Sequence, residues 1–145
     1  MNNINNNHQY QSKYQGLSKG KIAMLSKEEK MQILIPKGTD FLMQRIEKEV
    51  PENGKFKKLS VSFDIPDTQN KAQFIVEADG KDFKDQRRVS IGVHHKNSDR
   101  VISNYMFKGT KQEVLAYLNN PENFEDFTKT VNELSTAVDD YYASL

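Results

Sequence analysis

The spacing of the apolar residues changes twice along this chain, and that change constrains the fold more than any motif. Up to Val50 apolar residues recur every three or four positions. From Leu59 to Phe107 they alternate with polar ones, and from Val114 to Tyr141 the three-and-four spacing returns. Neighbouring side chains point to opposite faces of a strand but share a helix face only at three- and four-residue intervals, so the order is helices, strands, helices.

The first helical stretch opens at Ser26-Lys27-Glu28-Glu29, a capping box in which hydroxyl and carboxylate satisfy orphan amides. Met31, Leu34 and Ile35 give it an apolar side, and Pro36 is expected to stop it. A second short helix is expected from Thr39 or Asp40. Leu42, Ile46 and Val50 form its stripe, broadened by Phe41 and Met43, and Pro51 with Glu52-Asn53-Gly54 ends it.

Four strands follow. Leu59, Val61, Phe63 and Ile65 alternate with Lys58, Ser60, Ser62 and Asp64; Ala72, Phe74, Val76 and Ala78 alternate with Gln73, Ile75 and Glu77. Val89, Ile91 and Val93 alternate with Ser90, Gly92 and His94, and Val101, Ser103, Tyr105 and Phe107 are read as the inner side of the fourth strand. The short links predict an antiparallel meander. Thr110-Lys111-Gln112-Glu113 is a second capping box, and Asn120-Pro121-Glu122 starts a helix carrying Phe124, Phe127, Val131, Leu134, Val138 and Tyr141. The expectation is an α+β fold: a four-stranded antiparallel meander, one face covered by C-terminal helices, with two short helices before it. Residues 1–20 are Asn/Gln-rich and are expected to form a disordered tail, leaving residues 26–145 as a single domain.

Few of these residues suggest chemistry. The chain has no Cys, hence no thiolate nucleophile, disulfide or Cys-ligated zinc. His94 and His95 would lie on opposite faces of a strand and could not chelate one ion together. Asp79, Asp82 and Asp85 are interleaved with Lys81 and Lys84, and Gly80 comes too early for a calcium loop. Gly38 and Gly109 read as isolated helix-entry glycines, and no phosphate-cradling or nucleophile-elbow motif is present. The expectation is a non-enzyme with no cofactor, no metal and no catalytic residue. No apolar run approaches the roughly 18 residues of a membrane span, and no leader pattern follows Met1, so a cytoplasmic protein without a membrane partner is expected.

The net charge of +1 conceals a polarity. Residues 54–111 carry twelve basic and seven acidic groups, whereas residues 112–145 carry one basic and seven acidic. Two surfaces follow. The acidic terminal helix presents Glu122, Asp126, Glu133, Asp139 and Asp140, with Tyr141 and Tyr142 beside them. The sheet's basic ends present Lys57, Lys58, Arg87, Arg88, Lys96 and Arg100. The Lys55–Lys58 and Lys84–Arg88 groups are expected to converge, because the first and third strands of a meander start at the same end. The open sheet face would show Ser60, Ser62, Gln73, Ile75, Ser90, Gly92, His94, Asn104 and Met106, with its aromatics turned to the core.

The element order resembles that of single-strand DNA-binding coactivator folds, and no residue carries over from them. The sequence points first to a small binding protein acting on another protein through the acidic helix, of the inhibitor, immunity or mobile-element regulatory kind. The alternative is a module for single-stranded nucleic acid, which would need the basic groups to neutralise phosphates. Self-pairing into a homodimer is a further option for the flat face.

Overall fold

A computed structural model describes residues 20–21, 24–80 and 84–145. The expected tail, residues 1–20, lies outside the described residues but for Gly20, as do Lys81, Asp82 and Phe83.

A single helix, α1 (Lys27–Glu49), spans the stretch where the sequence predicts two. Its capping box forms as expected: Ser26 Oγ accepts from the Glu29 amide at 3.1 Å, and Glu29 Oε1 accepts from the Ser26 amide at 3.0 Å. Pro36 lies inside the helix and does not end it. A mid-helix proline costs about 3 kcal/mol through its missing donor and its clash with the preceding turn. The gain on the other side is larger, because the stripe Met31, Ile35, Thr39, Leu42, Met43, Ile46 runs unbroken through the proline and is buried along its length. Pro36 is itself buried, and its carbonyl accepts from Thr39 Oγ1 at 3.0 Å. Phe41, placed on the stripe by the sequence reading, is exposed on the other side.

Gly38 is mid-helix, not a helix-entry glycine, and it brings α1 onto the sheet. A Cβ there would stand 2.9 Å from Cε2 of Phe74.

The sheet is the expected meander. β1 (Leu59–Asp64), β2 (Asn70–Ala78), β3 (Arg87–His95) and β4 (Ile102–Gly109) are antiparallel neighbours in chain order. Leu59, Ala72, Phe74, Val76, Val89, Ile91 and Val93 are buried on one side, as the alternation requires.

β4 departs from the expected phase. Val89 stands opposite Phe107, but Ser90 stands opposite Tyr105, so Met106 is an extra residue. This bulge shifts every earlier residue of β4 by one position, and a one-residue shift exchanges the faces. Of Val101, Ser103, Tyr105 and Phe107, only Phe107 keeps its inward place; Val101, Ser103 and Tyr105 are exposed. Met106 packs against the core, and Asn104 pairs with Ile91 on the helix side, so neither belongs to the open face.

The remaining helices close the inner side. α2 (Lys111–Leu118) begins at the Thr110 capping box. A short 3₁₀ turn (Pro121–Asn123), capped by Asn120, leads into α3 (Phe124–Ala143), so the long helix starts a few residues later than Pro121 suggests. Phe124, Phe127, Val131, Leu134 and Val138 are buried. Rings link the layers: Phe74 meets Phe127 edge-on at 5.6 Å, and Tyr117 stacks on Phe107 at 4.3 Å with 8° between planes. No helix among the described residues is long and apolar enough to cross a membrane.

Two tests follow from this packing. Gly38→Ala should lower stability in urea titration. The helix-propensity gain of about 1 kcal/mol is outweighed by overpacking against a core ring, which costs about 1–3 kcal/mol. Burial of Tyr117, with the Asp126 carboxylate nearby, pushes its phenol up to about 12. The stability from keeping it neutral is intact below the ordinary tyrosine pKa of about 10 and is lost as pH rises through the folded value. Tyr117→Phe should therefore flatten the fall in stability between about pH 10 and about pH 12, measured by urea midpoints at a series of pH values.

Candidate interaction surface

With α1, α2 and α3 on one side, the other side of the sheet is built from four cross-strand rows. Ser60, Ile75, Ser90 and Tyr105 form one row, and Ser62, Gln73, Gly92 and Ser103 the next. Asp64, Lys71 and His94 lie toward one end, and Glu77, Arg88 and Lys108 toward the other.

An apolar spot sits in the middle rows. Gly92 has no Cβ, and one added there would meet Val101 Cγ1 at 2.6 Å and Ile75 Cδ1 at 3.3 Å. The missing atom is what lets Val101 lie across the sheet, and Ile75 beneath is only 7% exposed. Tyr105 alongside is 56% exposed, with the Arg88 guanidinium 5.2 Å from its ring centroid.

Most charges on this face are paired. Asp79 takes Arg88 at 3.4 Å and Lys108 at 3.5 Å, and Lys71 meets Asp64 at 3.6 Å. Exposed pairs of this kind contribute about 0–1 kcal/mol each, so they set local neutrality more than stability.

The six basic residues singled out in the sequence do not form one patch. The two expected segments do converge, and the Gly54 amide donates to the Lys84 carbonyl at 2.7 Å. Lys57, Lys58 and Arg88 are exposed at that end.

Arg87 is not available there. It is 1% exposed and donates to the carbonyls of Pro51 (2.8 Å), Lys84 (3.1 Å) and Gln86 (3.3 Å), with its guanidinium 5.0 Å from the Phe56 ring centroid. Burial lowers its pKa, opposed by Asp85 and Glu52. This side chain staples the loop before β1 to the start of β3; it is not a phosphate ligand. Lys96 and Arg100 lie beyond the far end of β3, whose nine residues span roughly 30 Å. Arg100 is turned to its own chain, with Nη1 3.3 Å from the Tyr141 hydroxyl.

The acidic set divides as well. Glu122, Asp126, Glu133 and Asp140 are exposed on the outer side of the C-terminal helices. Asp139 instead accepts from Asn70 Nδ2 at 2.9 Å, and the same amide donates to Ser135 Oγ at 2.8 Å. Tyr142 packs on His95 at 4.8 Å, with Tyr141 against Tyr142 at 5.2 Å and near Arg100. Asp139, Tyr141 and Tyr142 thus fasten the end of α3 to the β2–β3 end of the sheet, and this accounts for a carboxylate at the unfavourable end of a helix.

His94 Nδ1 donates to the Ser98 carbonyl at 2.7 Å, and His95 Nδ1 accepts from the Asn97 amide at 3.1 Å, so both rings shape the β3–β4 turn. Among the described residues no three His, Asp or Glu side chains gather as a metal site.

The sequence reading missed Tyr105, because the bulge that exposes it has no local signature. It also missed Asn70 and placed Arg87 at the surface, although both share parity with the buried positions of their strands. Comparison with family models, curated proteins and solved structures finds no match to this chain.

The two adjacent arginines should separate cleanly in urea titration. Arg87→Ala should cost about 2–4 kcal/mol, since it empties a buried site and strips three carbonyls of their donor. Arg88→Ala should cost less than about 1 kcal/mol.

Proposed function

We propose that this chain is a small non-enzymatic domain that binds another protein, and that it does so through the open sheet face around Tyr105. The observation that carries the reading is the pair Val101 and Tyr105, two exposed apolar side chains on that face of the sheet. Around them lie a Tyr–Arg pair and polar side chains from Ser60, Ser62, Gln73 and Ser103. An apolar anchor ringed by polar groups, with Tyr and Arg prominent, is the composition of protein-binding hot spots.

The acidic outer side of α3 ranks behind it. Between Glu122 and Asp140 no large apolar side chain is exposed, and rim charges without an anchor add little affinity.

One observation favours a nucleic-acid reading: Tyr105 is an aromatic on the open face with a cation beside it, the pairing used to stack bases. Against it, Asp79 offsets Arg88 and Lys108, and Arg87 is buried. Phosphate binding needs uncompensated cations along a track.

Capture from the native host on immobilised protein separates these readings. Tyr105→Ala should lose the captured partner, with a fall in affinity of about tenfold or more, while its urea midpoint stays near wild type. Glu133→Lys with Asp126→Lys should leave capture unchanged. In gel shifts with single-stranded DNA and RNA no complex should form at low salt. A complex that weakens steeply with salt and disappears in Arg88→Glu would replace the protein-binding reading by the nucleic-acid one.

A further inference from the structure

The two edges of the sheet are finished differently. At the β1 edge, Arg45 of α1, itself held by Glu49 at 3.0 Å, donates to the Ser60 carbonyl at 3.0 Å. Lys57 and Lys58 lead into that strand, and Asp64 ends it. Charged side chains and a capped carbonyl are the usual means of keeping an edge from adding another strand.

Over residues 102–105, before its bulge, β4 has neither. It is eight residues long, has no proline, and carries its one charge at Lys108, near its end. Among the described residues no hydrogen bond reaches the outward backbone of Ile102–Phe107. Ile102, Ser103, Asn104 and Tyr105 are all exposed. An exposed, apolar, uncharged edge is a template for strand addition.

From this we infer that two copies of the chain pair antiparallel through β4, with the two-fold axis at Ser103, to make one continuous eight-stranded sheet. The occupant follows from parity and charge. Directly opposed residues of an antiparallel pair share a face, so a symmetric pairing of β4 with itself must be centred on a residue and not between two. Centred on Ser103, it sets Val101 opposite the partner's Tyr105 on the open face, and symmetry repeats the contact. A β-branched side chain against an aromatic is a favourable cross-strand pair. Ile102 then stands opposite the partner's Asn104, and the paired stretch, residues 101–105, stops short of the Met106 bulge where the faces reverse and carries no charge.

Centred on Asn104, the pairing would run Ile102 against the partner's bulged Met106 and would part Val101 from the tyrosine. Centred on Ile102, it would leave Tyr105 opposite the partner's Asp99. Centred on Tyr105, it would set outward Ser103 opposite the partner's inward Phe107; the register at Ser103 avoids these conflicts and pairs Val101 with the tyrosine. The dimer places the two open faces side by side as one surface.

The inference concerns the edge, whereas the proposed partner binding concerns the face, and the tests keep them apart. Sedimentation or light scattering over a wide concentration range should show a species of twice the 16.7 kDa chain mass. Ser103→Lys puts like charges on the axis at an exposed position. It should shift the protein to the single-chain mass with an unchanged circular dichroism spectrum.

Because the chain has no cysteine, Ser103→Cys gives a second readout. Opposed residues of an antiparallel pair are about 4.5–5.5 Å apart at Cα, within the range a disulfide spans. Mild oxidation should link Ser103→Cys into a covalent dimer, while Thr136→Cys on the exposed side of α3 should stay single. A wild type that keeps the single-chain mass throughout would overturn the inference. So would a dimer that survives Ser103→Lys, or cross-linking no faster at Ser103→Cys than at Thr136→Cys. A monomeric wild type whose Tyr105→Ala variant still loses its captured partner would overturn the dimer alone and leave the binding surface in place.

Discussion

Phe74 is the contact on which the two layers are fitted together. Its ring lies on the inner side of β2, close beneath Gly38 of α1, edge-on to Phe127 of α3 and beside Phe63 of β1. Each neighbour comes from a different element, so this one ring fixes the height of both long helices above the sheet. The proline in α1 is tolerated for the same reason. A helix held by a buried stripe on both sides of Pro36 gains more from staying continuous than the proline costs. With α1, α2 and α3 all on this side, the sheet is left with an open face and two edges. That asymmetry makes a binding surface available.

A single extra residue decides what the open face displays. Without the bulge at Met106, Tyr105 would point into the core and Met106 would take its place on the open face. With it, Tyr105 stands outside next to Arg88, and Val101 occupies the space left by Gly92. The inner side keeps its packing because Phe107, on the near side of the bulge, retains its place against Tyr117. Charge is arranged to match, with Asp79 bridging Arg88 and Lys108 and Glu77 opposite Arg88, two carboxylates for two cations. The outcome is an apolar spot in a locally balanced field, suited to a protein surface more than to a phosphate backbone.

Much of the fold could be read from the residues because local rules and tertiary packing agree there. The capping boxes at Ser26 and Thr110, the alternation in β1 to β3 and the stripe of α3 each name one conformation, and each is found. The surface was much less legible. Composition places Lys, Arg, Asp and Glu at the surface, yet Arg87 is enclosed by carbonyls, and the exposed Asp139 is tied to an asparagine 69 residues away in sequence. Parity along the strand gave a hint for Arg87 and Asn70. A long side chain that buries its stem and finds acceptors overrides the tendency of its charge to seek water. Arg100 and Tyr141, assigned to opposite surfaces, meet within the chain because the end of α3 lands beside the β3–β4 turn.

The chain by itself determined its element types, their order and the polarity of its charge, since these follow from short-range periodicity, capping and composition. Only the tertiary structure decided whether Pro36 breaks a helix, which side of β4 faces out and which charges are spent inside. Each of those outcomes depends on a balance between a local preference and contacts made by residues distant in sequence. Such contacts carry the larger free energy when a whole face is buried, and no local pattern records them.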